Sequence, residues 1–366
     1  MQGCFSTDIL TFKPLNKLVI TIAALALLVS CAAAGSAAAG PAEAGSSAGT
    51  SGVSATASGG GWKALPVLPG LKGAVGTSFM KDLARSKRRG MRPRVFAKVG
   101  DSNTETVSVL YGLGCRKPRL DGRFRLKAVI ARYNRVELPN ARAMADCTPW
   151  TSFSRRSAAA QSGTFTTWSL TRDDTLPDAG YWTAPSDCLP EQTPLSCELL
   201  TTRPRYAFIM TGTNDFGLDK GFDIPAASQT TDRMKQLIDA VRKLGSIPIV
   251  STLPPLLTSN AGPGAIDPYN AAIVKAARIT RTPVINLWRA LEAPGMVNSG
   301  MEDGGLHLRT LAGGVTPILT PDPTTYQDSV NFTPQGLTAG SNRRNLIWLQ
   351  TLAKLDRAAG VVDSGR

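Results

Sequence analysis

Three short segments of the sequence carry side chains that could perform nucleophilic chemistry on a carbonyl group. Ser102 ends the run Gly-Asp-Ser, Asn214 lies in the run Gly-Thr-Asn-Asp, and His307 is the single histidine among 366 residues. A serine hydroxyl attacks a carbonyl efficiently only when a neighbouring base takes its proton. His307 is therefore the sole imidazole available as that base, and the Asn214 amide could donate a hydrogen bond to the developing oxyanion.

Ser102 and Asn214 each follow a short apolar run that is typical of a buried strand. We predict strands over 94–99, 206–210, 247–251 and 283–287, and helices over 231–244, 269–278 and 342–359. Continuous apolar strands separated by amphipathic helices indicate a parallel sheet that is covered on both faces. In such sheets ligands bind beyond the carboxyl ends of the strands, where both side chains are expected to lie.

The three segments resemble the characteristic blocks of the SGNH (GDSL-like) hydrolase family. The run 100–102 resembles the first block, the run 212–215 the third and His307 the fifth, in the family's order, and the resemblance extends over 94–355. Gly163 is the best match to the second block. The resemblance implies a flavodoxin-like three-layer α/β/α sandwich whose mostly parallel central sheet has about five strands.

The resemblance also implies a role for each matched residue. Ser102 is the expected nucleophile and His307 the expected base, and an acyl-enzyme would form and then be cleaved by water. The expected oxyanion hole combines the backbone N–H groups of Ser102 and Gly163 with the Asn214 side chain. No metal and no organic cofactor is implied.

The acid of the expected triad departs from the family pattern. The family usually carries an acid three residues before the histidine, but that position is Gly304 here and Asp303 lies four before. Either Asp303 reaches His307 through a bent loop, or the chain works with a Ser–His pair alone. A similar run over 328–334 has Asn331 in the histidine place and would leave the enzyme without a base. We favour His307.

The first thirty residues have the pattern of an export signal. Lys13 and Lys17 precede an apolar run over 18–29 that is short for a membrane span, and Cys31 follows directly after Ser30. This pattern resembles the bacterial lipobox, in which the cysteine is acylated and becomes the mature N-terminus. We therefore expect a lipoprotein of the bacterial cell envelope, cleaved before Cys31 and anchored in a membrane. Ordinary cleavage after one of the alanines at 32–34 is the alternative.

Composition divides the remaining chain into three parts. Residues 31–61 are almost only small and polar, which predicts a flexible tether because they cannot bury enough apolar surface to fold. Residues 62–93 are expected to form a basic lead-in segment, and the resemblance implies an SGNH-like hydrolase domain over 94–360, with an elaborated insertion at about 116–205. A hydrophobic content of 42% allows a sizeable core and excludes a wholly disordered chain.

The chain is strongly basic, and its cysteine usage, described below, agrees with export. The formal net charge is +14, and part of it is clustered between Lys81 and Lys98. This cluster indicates either attraction to an anionic lipid or cell-wall polymer, or a solvated basic face. Nucleic acid is not an expected partner, because no aromatic residues are interleaved with the charges.

Four cysteines remain after Cys4 and Cys31, and they allow three disulfide pairings. We favour the two pairs that bracket short polar loops, Cys115 with Cys147 and Cys188 with Cys197. A zinc site is not expected, since the sequence has no CxxC spacing.

Together these features predict an exported, lipid-anchored serine esterase. The expected substrates are acyl or acetyl esters, and esters carried by polysaccharides are one candidate. Two alternatives use the same fold: a catalytically silent surface-binding protein, and an acyltransferase that acts on polysaccharide hydroxyls. The first alternative places no restraint on the distance between Ser102 and His307, whereas an enzyme requires hydrogen-bond contact.

Overall fold

The computed structural model describes residues 61–139, 147–171, 187–312 and 327–361. They belong to one compact unit that spans residues 58–366. The predicted signal peptide, Cys31 and all of the tether except Gly61 lie outside the described residues. In the part of the chain that is described, no helix is both long and apolar enough to cross a membrane.

The centre of this unit is a parallel sheet, which confirms the predicted α/β class. In the described residues it has four strands, in the order β1-β2-β3-β4, instead of about five. The outer side of β1 carries only one isolated parallel bridge among these residues, between Gly100 and Ala160. The strands are β1 (Arg92–Gly100), β2 (Pro204–Met210), β3 (Ile247–Ser251) and β4 (Val284–Ile285).

Helices cover both faces of the sheet. Every residue of β2 and β3 is buried, which requires packing on both sides. On one face the ring of Trp348 stacks on Phe208 of β2 with centroids 4.9 Å apart, and Tyr133 contacts Phe96 of β1 edge to face at 5.4 Å. The helices are α1 (Gly73–Arg88), α2 (Ser102–Glu105), α3 (Gly112–Cys115), α4 (Leu126–Asn134), α5 (Pro194–Thr202), α6 (Thr213–Gly221), α7 (Thr230–Lys243), α8 (Asp267–Thr280), α9 (Leu287–Leu291) and α10 (Gly340–Ala358).

The segment predicted as a basic lead-in is largely helical and packs into the core. Helix α1 buries Phe79 and Leu83, and its buried Asp82 pairs with Arg85 at 2.8 Å and with Arg242 of α7 at 2.9 Å. One buried carboxylate is therefore shared by two guanidinium groups. The rest of the basic cluster is mostly exposed.

The chain enters the domain through one turn of 3₁₀ helix, Trp62–Ala64, which is fastened to the end of β4. The Asn286 side chain donates to the carbonyls of Trp62 and Leu65, each at 3.1 Å. Arg289 of α9 donates to the Ala64 carbonyl at 2.7 Å. This contact joins the start of the folded unit to the far edge of the sheet from β1.

Two disulfides pair the cysteines as predicted. Cys115 is bonded to Cys147 and Cys188 to Cys197, with Cα–Cα distances of 4.9 and 5.2 Å. Cys188 and Cys197 also lie close to the Asp187 carboxylate in a cluster with metal-ligand spacing. Because both sulfurs are engaged in a disulfide, they are not available as thiolate ligands.

Candidate functional site

The structure brings Ser102 and His307 into hydrogen-bond contact at the carboxyl end of β1. Ser102 is the first residue of α2, directly after the strand, and its Oγ lies 3.1 Å from His307 Nε2. The two residues are 205 positions apart in the chain. This contact is the geometry that proton transfer from the hydroxyl to the imidazole requires.

The carboxylate beside His307 is Glu302 and not the expected Asp303. Glu302 Oε1 lies 2.9 Å from His307 Nδ1 and accepts the His307 backbone N–H at 3.1 Å. Asp303 is exposed at the tip of the loop. Since the carboxylate contacts Nδ1, it favours the tautomer with its proton there and leaves Nε2 free to accept from Ser102.

A small antiparallel turn explains why the acid lies five residues before the histidine. Met301 and Leu308 form an antiparallel bridge, and the Glu302 N–H donates to the His307 carbonyl at 3.0 Å. Residues opposite each other in such a pair share one side of the turn, so Glu302 faces His307. Gly305 has a φ of 70°, and a side chain there would overlap the Leu257 backbone.

Asn103, which follows the candidate nucleophile, forms hydrogen bonds with the residues on either side of His307. Its Nδ2 donates to the Leu306 carbonyl at 3.1 Å, and its Oδ1 accepts the Leu308 N–H at 3.3 Å. Its own carbonyl accepts from the buried guanidinium of Arg344 in α10 at 2.7 Å. Helix α10 is thereby tied to the loop that holds His307.

Asp101 joins the carboxyl ends of the neighbouring strands β1 and β2. Its side chain caps α2 by accepting the Asn103 N–H at 3.1 Å, and it accepts the Thr213 N–H at the start of α6 at 3.2 Å. Burial raises the pKa of this carboxyl to about 6, against the lowering effect of the two backbone N–H groups. Asp101 therefore fixes the relative positions of the backbones that carry Ser102 and Asn214.

The other two oxyanion candidates lie on segments that contact each other. The Asn214 side-chain amide donates to the Thr164 carbonyl at 2.9 Å, next to Gly163. Asp215 accepts from the N–H and hydroxyl of Thr166 at 2.9 and 3.0 Å. Gly163 is exposed with a φ of 76°, which favours glycine. The role of the Ser102 and Gly163 N–H groups and of the Asn214 amide in an oxyanion hole stays a prediction.

The loop that carries Gly163 is held by Glu105, the last residue of α2. Glu105 Oε2 accepts from the Ser162 N–H at 2.6 Å and from the Ser162 hydroxyl at 2.5 Å. Its Oε1 accepts two bonds from the Arg156 guanidinium, at 2.5 and 3.1 Å. Both carboxylate oxygens are thus engaged, and the Glu105 side chain is fully buried. No sequence pattern signals this contact, because its partners lie 51 and 57 residues away.

Replacing Glu105 by glutamine is expected to lower the free energy of unfolding by about 3–5 kcal/mol, the usual effect of breaking a buried ion pair. Arg156 would lose its countercharge in a site where its side chain is 18% exposed. Urea unfolding followed by circular dichroism measures the change. The double variant E105Q/R156Q removes both charges and is expected to recover part of the stability. Equal stability of the single and double variants would contradict this assignment.

Asn331, the alternative to the histidine, serves a local turn. Its Oδ1 accepts from the Thr333 hydroxyl at 2.8 Å and the Thr333 N–H at 3.2 Å, and its own N–H donates to Asn342. It makes no contact with Ser102 in the described structure. The imidazole that contacts the serine belongs to the loop favoured from the sequence.

Comparisons with known proteins identify the family of this chain. No curated protein matches it. Among solved structures, a lipase/acylhydrolase from Enterococcus faecalis is similar at 19% identity over 42% of this chain and 67% of that chain, with a TM-score of 0.31. The profile of the GDSL-like lipase/acylhydrolase family matches residues 98–311, which include Ser102, Gly163, Asn214 and His307. That match covers more than half of the sequence, and the chain therefore belongs to the GDSL-like lipase/acylhydrolase family.

Proposed function

We propose that this hydrolase is an exported, lipid-anchored serine esterase that cleaves acyl or acetyl esters, with polysaccharide-borne esters as a candidate substrate class. The observation that carries the esterase assignment is the continuous hydrogen-bonded chain from Ser102 through His307 to Glu302. A silent binding protein on this fold needs no such chain. The side chains of His307 and Glu302 are 13% and 5% exposed, so solvent screens their contact only weakly.

In the first half of the proposed reaction, Ser102 Oγ forms a bond to the ester carbonyl carbon while His307 Nε2 takes the hydroxyl proton. The carbonyl π electrons move to oxygen, where the Ser102 and Gly163 N–H groups and the Asn214 amide would hold the negative charge. Glu302 stabilises the imidazolium that forms. Collapse of the intermediate breaks the bond to the alcohol, which leaves with the proton from His307.

In the second half, water takes the place of the alcohol. His307 accepts a proton from water, whose oxygen bonds to the acyl carbon of the serine ester. The second intermediate expels Ser102 Oγ, which recovers its proton from His307, and the carboxylic acid departs. A sugar hydroxyl in the place of water would give acyl transfer through the same groups.

A serine-directed fluorophosphonate tests the proposal without knowledge of the natural substrate. We expect stoichiometric labelling of the protein, with the adduct mapped to Ser102 by mass spectrometry, together with hydrolysis of p-nitrophenyl acetate and its longer homologues. The chain-length profile identifies the acyl preference, and added sugar acceptors reveal transfer. A protein that neither takes the label nor releases p-nitrophenol would be assigned to the binding class instead.

The anchoring part of the proposal makes a separate prediction about Cys31. Replacing Cys31 by alanine removes the acylation site and is expected to move the protein from the membrane fraction to the soluble fraction of the producing bacterium, because two or more acyl chains are needed for firm anchoring. Fractionation with metabolic labelling by a palmitate analogue measures this. Cys4→Ala, which lies in the predicted signal peptide, is the matched control and should retain both label and membrane association. Unchanged labelling of Cys31→Ala would contradict the lipobox assignment.

A further inference from the structure

A groove along the outer side of α10 has the features of a binding site and lies apart from the serine and histidine. It consists of two adjoining cavities of about 540 and 390 Å³. Gln350 of α10 lines both of them, and the neighbouring residues Val67 and Leu68 line one each. We call this feature the α10 groove.

Five arginines line the α10 groove, and no carboxylate does so among the described residues. They are Arg123, Arg125, Arg289, Arg343 and Arg357. One of them, Arg123, pairs with Asp121 at 3.2 Å in an exposed contact. Exposed pairs of this kind contribute little, so the groove keeps most of its positive charge.

The spacing of the groove residues along α10 shows how long the groove is. Arg343, Gln350 and Arg357 follow each other at intervals of seven residues, which places them on the same side of the helix. At 1.5 Å per residue, Arg343 and Arg357 are about 21 Å apart along the axis. A single small anion cannot contact both, whereas an extended chain can.

Arg343 is the arginine whose hydrogen-bonding capacity is most clearly unused. Its Nε is buried and has no hydrogen-bond partner. Burial, together with the positive charge of Arg123, lowers its pKa. A bound anion would pair with this guanidinium group and relieve its repulsion with that of Arg123.

The remaining lining is apolar and suits the faces of sugar rings. Val67, Leu68, Leu346 and Ala353 lie between the arginines. A groove that alternates guanidinium groups with aliphatic side chains matches a polymer that alternates charged groups with rings. Such a surface is less suited to a planar membrane, which cannot enter a concave site.

We propose that the α10 groove binds a linear anionic polysaccharide through its repeated carboxylate or phosphate groups. Another side of α10 reaches the loop of the serine and histidine through Arg344, which donates to the Asn103 carbonyl. The helix that lines the groove is therefore also tied to the segment that follows Ser102. The inference does not depend on the esterase assignment, because groove binding and ester cleavage use different residues.

Binding of defined polymers to the intact protein tests the proposal. The probes are polygalacturonate for carboxylates, inorganic polyphosphate for phosphates, and dextran as a neutral chain, each measured by isothermal titration calorimetry at low and physiological salt. We expect binding of at least one charged polymer, weakened by salt, and none of dextran. Absence of binding to both charged polymers would overturn the proposal, as would binding to anionic phospholipid vesicles alone.

Two double variants that each remove two positive charges distinguish binding in the α10 groove from nonspecific electrostatic attraction of the polymer to the protein. R343Q/R357Q removes two groove charges, whereas R88Q/R278Q removes two exposed charges from α1 and α8. We expect R343Q/R357Q to bind the polymer about tenfold more weakly and R88Q/R278Q to bind it nearly as well as the native protein. Equal weakening in both would overturn the groove assignment. The far-ultraviolet circular dichroism spectrum and the urea unfolding midpoint should be the same in both variants as in the native protein, which shows that the fold is intact.

Discussion

Replacing Ser102 by alanine is expected to lower kcat for p-nitrophenyl acetate by about 10⁶-fold, to the level left by substrate binding and the oxyanion donors. The Ser102 Oγ that contacts His307 Nε2 at 3.1 Å is the atom that would form the acyl bond. His307→Ala is expected to have an effect of similar size, since the two groups act as a unit. Steady-state kinetics of ester hydrolysis measures both.

The double variant S102A/H307A tests whether Ser102 and His307 act together in one step. Its activity should be no lower than that of either single variant, because each single change already removes the shared step. Multiplicative losses would mean that the two residues act independently. Full activity of Ser102→Ala would remove the nucleophile assignment altogether.

Replacing Glu302 by alanine is expected to lower kcat by about 10⁴-fold. The variant loses both the charge that stabilises the imidazolium and the acceptor that orients the ring. Glu302→Gln separates these effects, because its amide oxygen can still accept from His307 Nδ1 and from the backbone N–H now held at 3.1 Å. We therefore expect kcat of Glu302→Gln to lie between the native and alanine values.

Asp303→Ala is the matched control for this pair of acids. Asp303 is exposed, so the change should alter kcat by less than about twofold, within the usual range for a neutral surface substitution. A large loss in Asp303→Ala with native activity in Glu302→Ala would restore the acid expected from the sequence. The two neighbouring carboxylates make this a direct comparison.

The fold is largely predictable because the strands are apolar and continuous. The strand predicted over 206–210 lies within Pro204–Met210, and the one over 247–251 coincides with Ile247–Ser251. Helix α1 is not predicted, because its first turn has no acidic residue and its N-terminus has no side-chain cap. Its role depends on Asp82 reaching Arg242, a contact between residues 160 positions apart.

A residue of the site can be predicted where the chain has only one side chain that can perform the required chemistry. It cannot be predicted where the pairing of residues across a turn determines which side chain faces the histidine. A single imidazole in the chain points to His307 without any structural knowledge. The identity of the acid depends on the bridge between Met301 and Leu308, which sets which side chain faces the ring. Spacing to the histidine alone does not reveal that pairing.

The supporting residues Asn103 and Glu105 escape sequence-based prediction for a related reason. Each lies within three positions of Ser102, yet each acts on a distant loop. Asn103 contacts the neighbours of His307, and Glu105 contacts Ser162 beside Gly163. The short helix α2 therefore presents the candidate nucleophile and at the same time holds two loops of the site.

The bonds that fasten the turn at Trp62 to Asn286 and Arg289 also determine how the domain bears mechanical load. A pull on the chain ahead of residue 62 acts first on this turn, which is held by five side-chain hydrogen bonds of 2.7–3.4 Å from Asn286 and Arg289. The ring of Trp62, whose centroid lies 4.9 Å from that of Trp288, resists the same displacement. Tension is thus expected to act first at β4, which among the described strands is the farthest from β1 and from the serine that follows it.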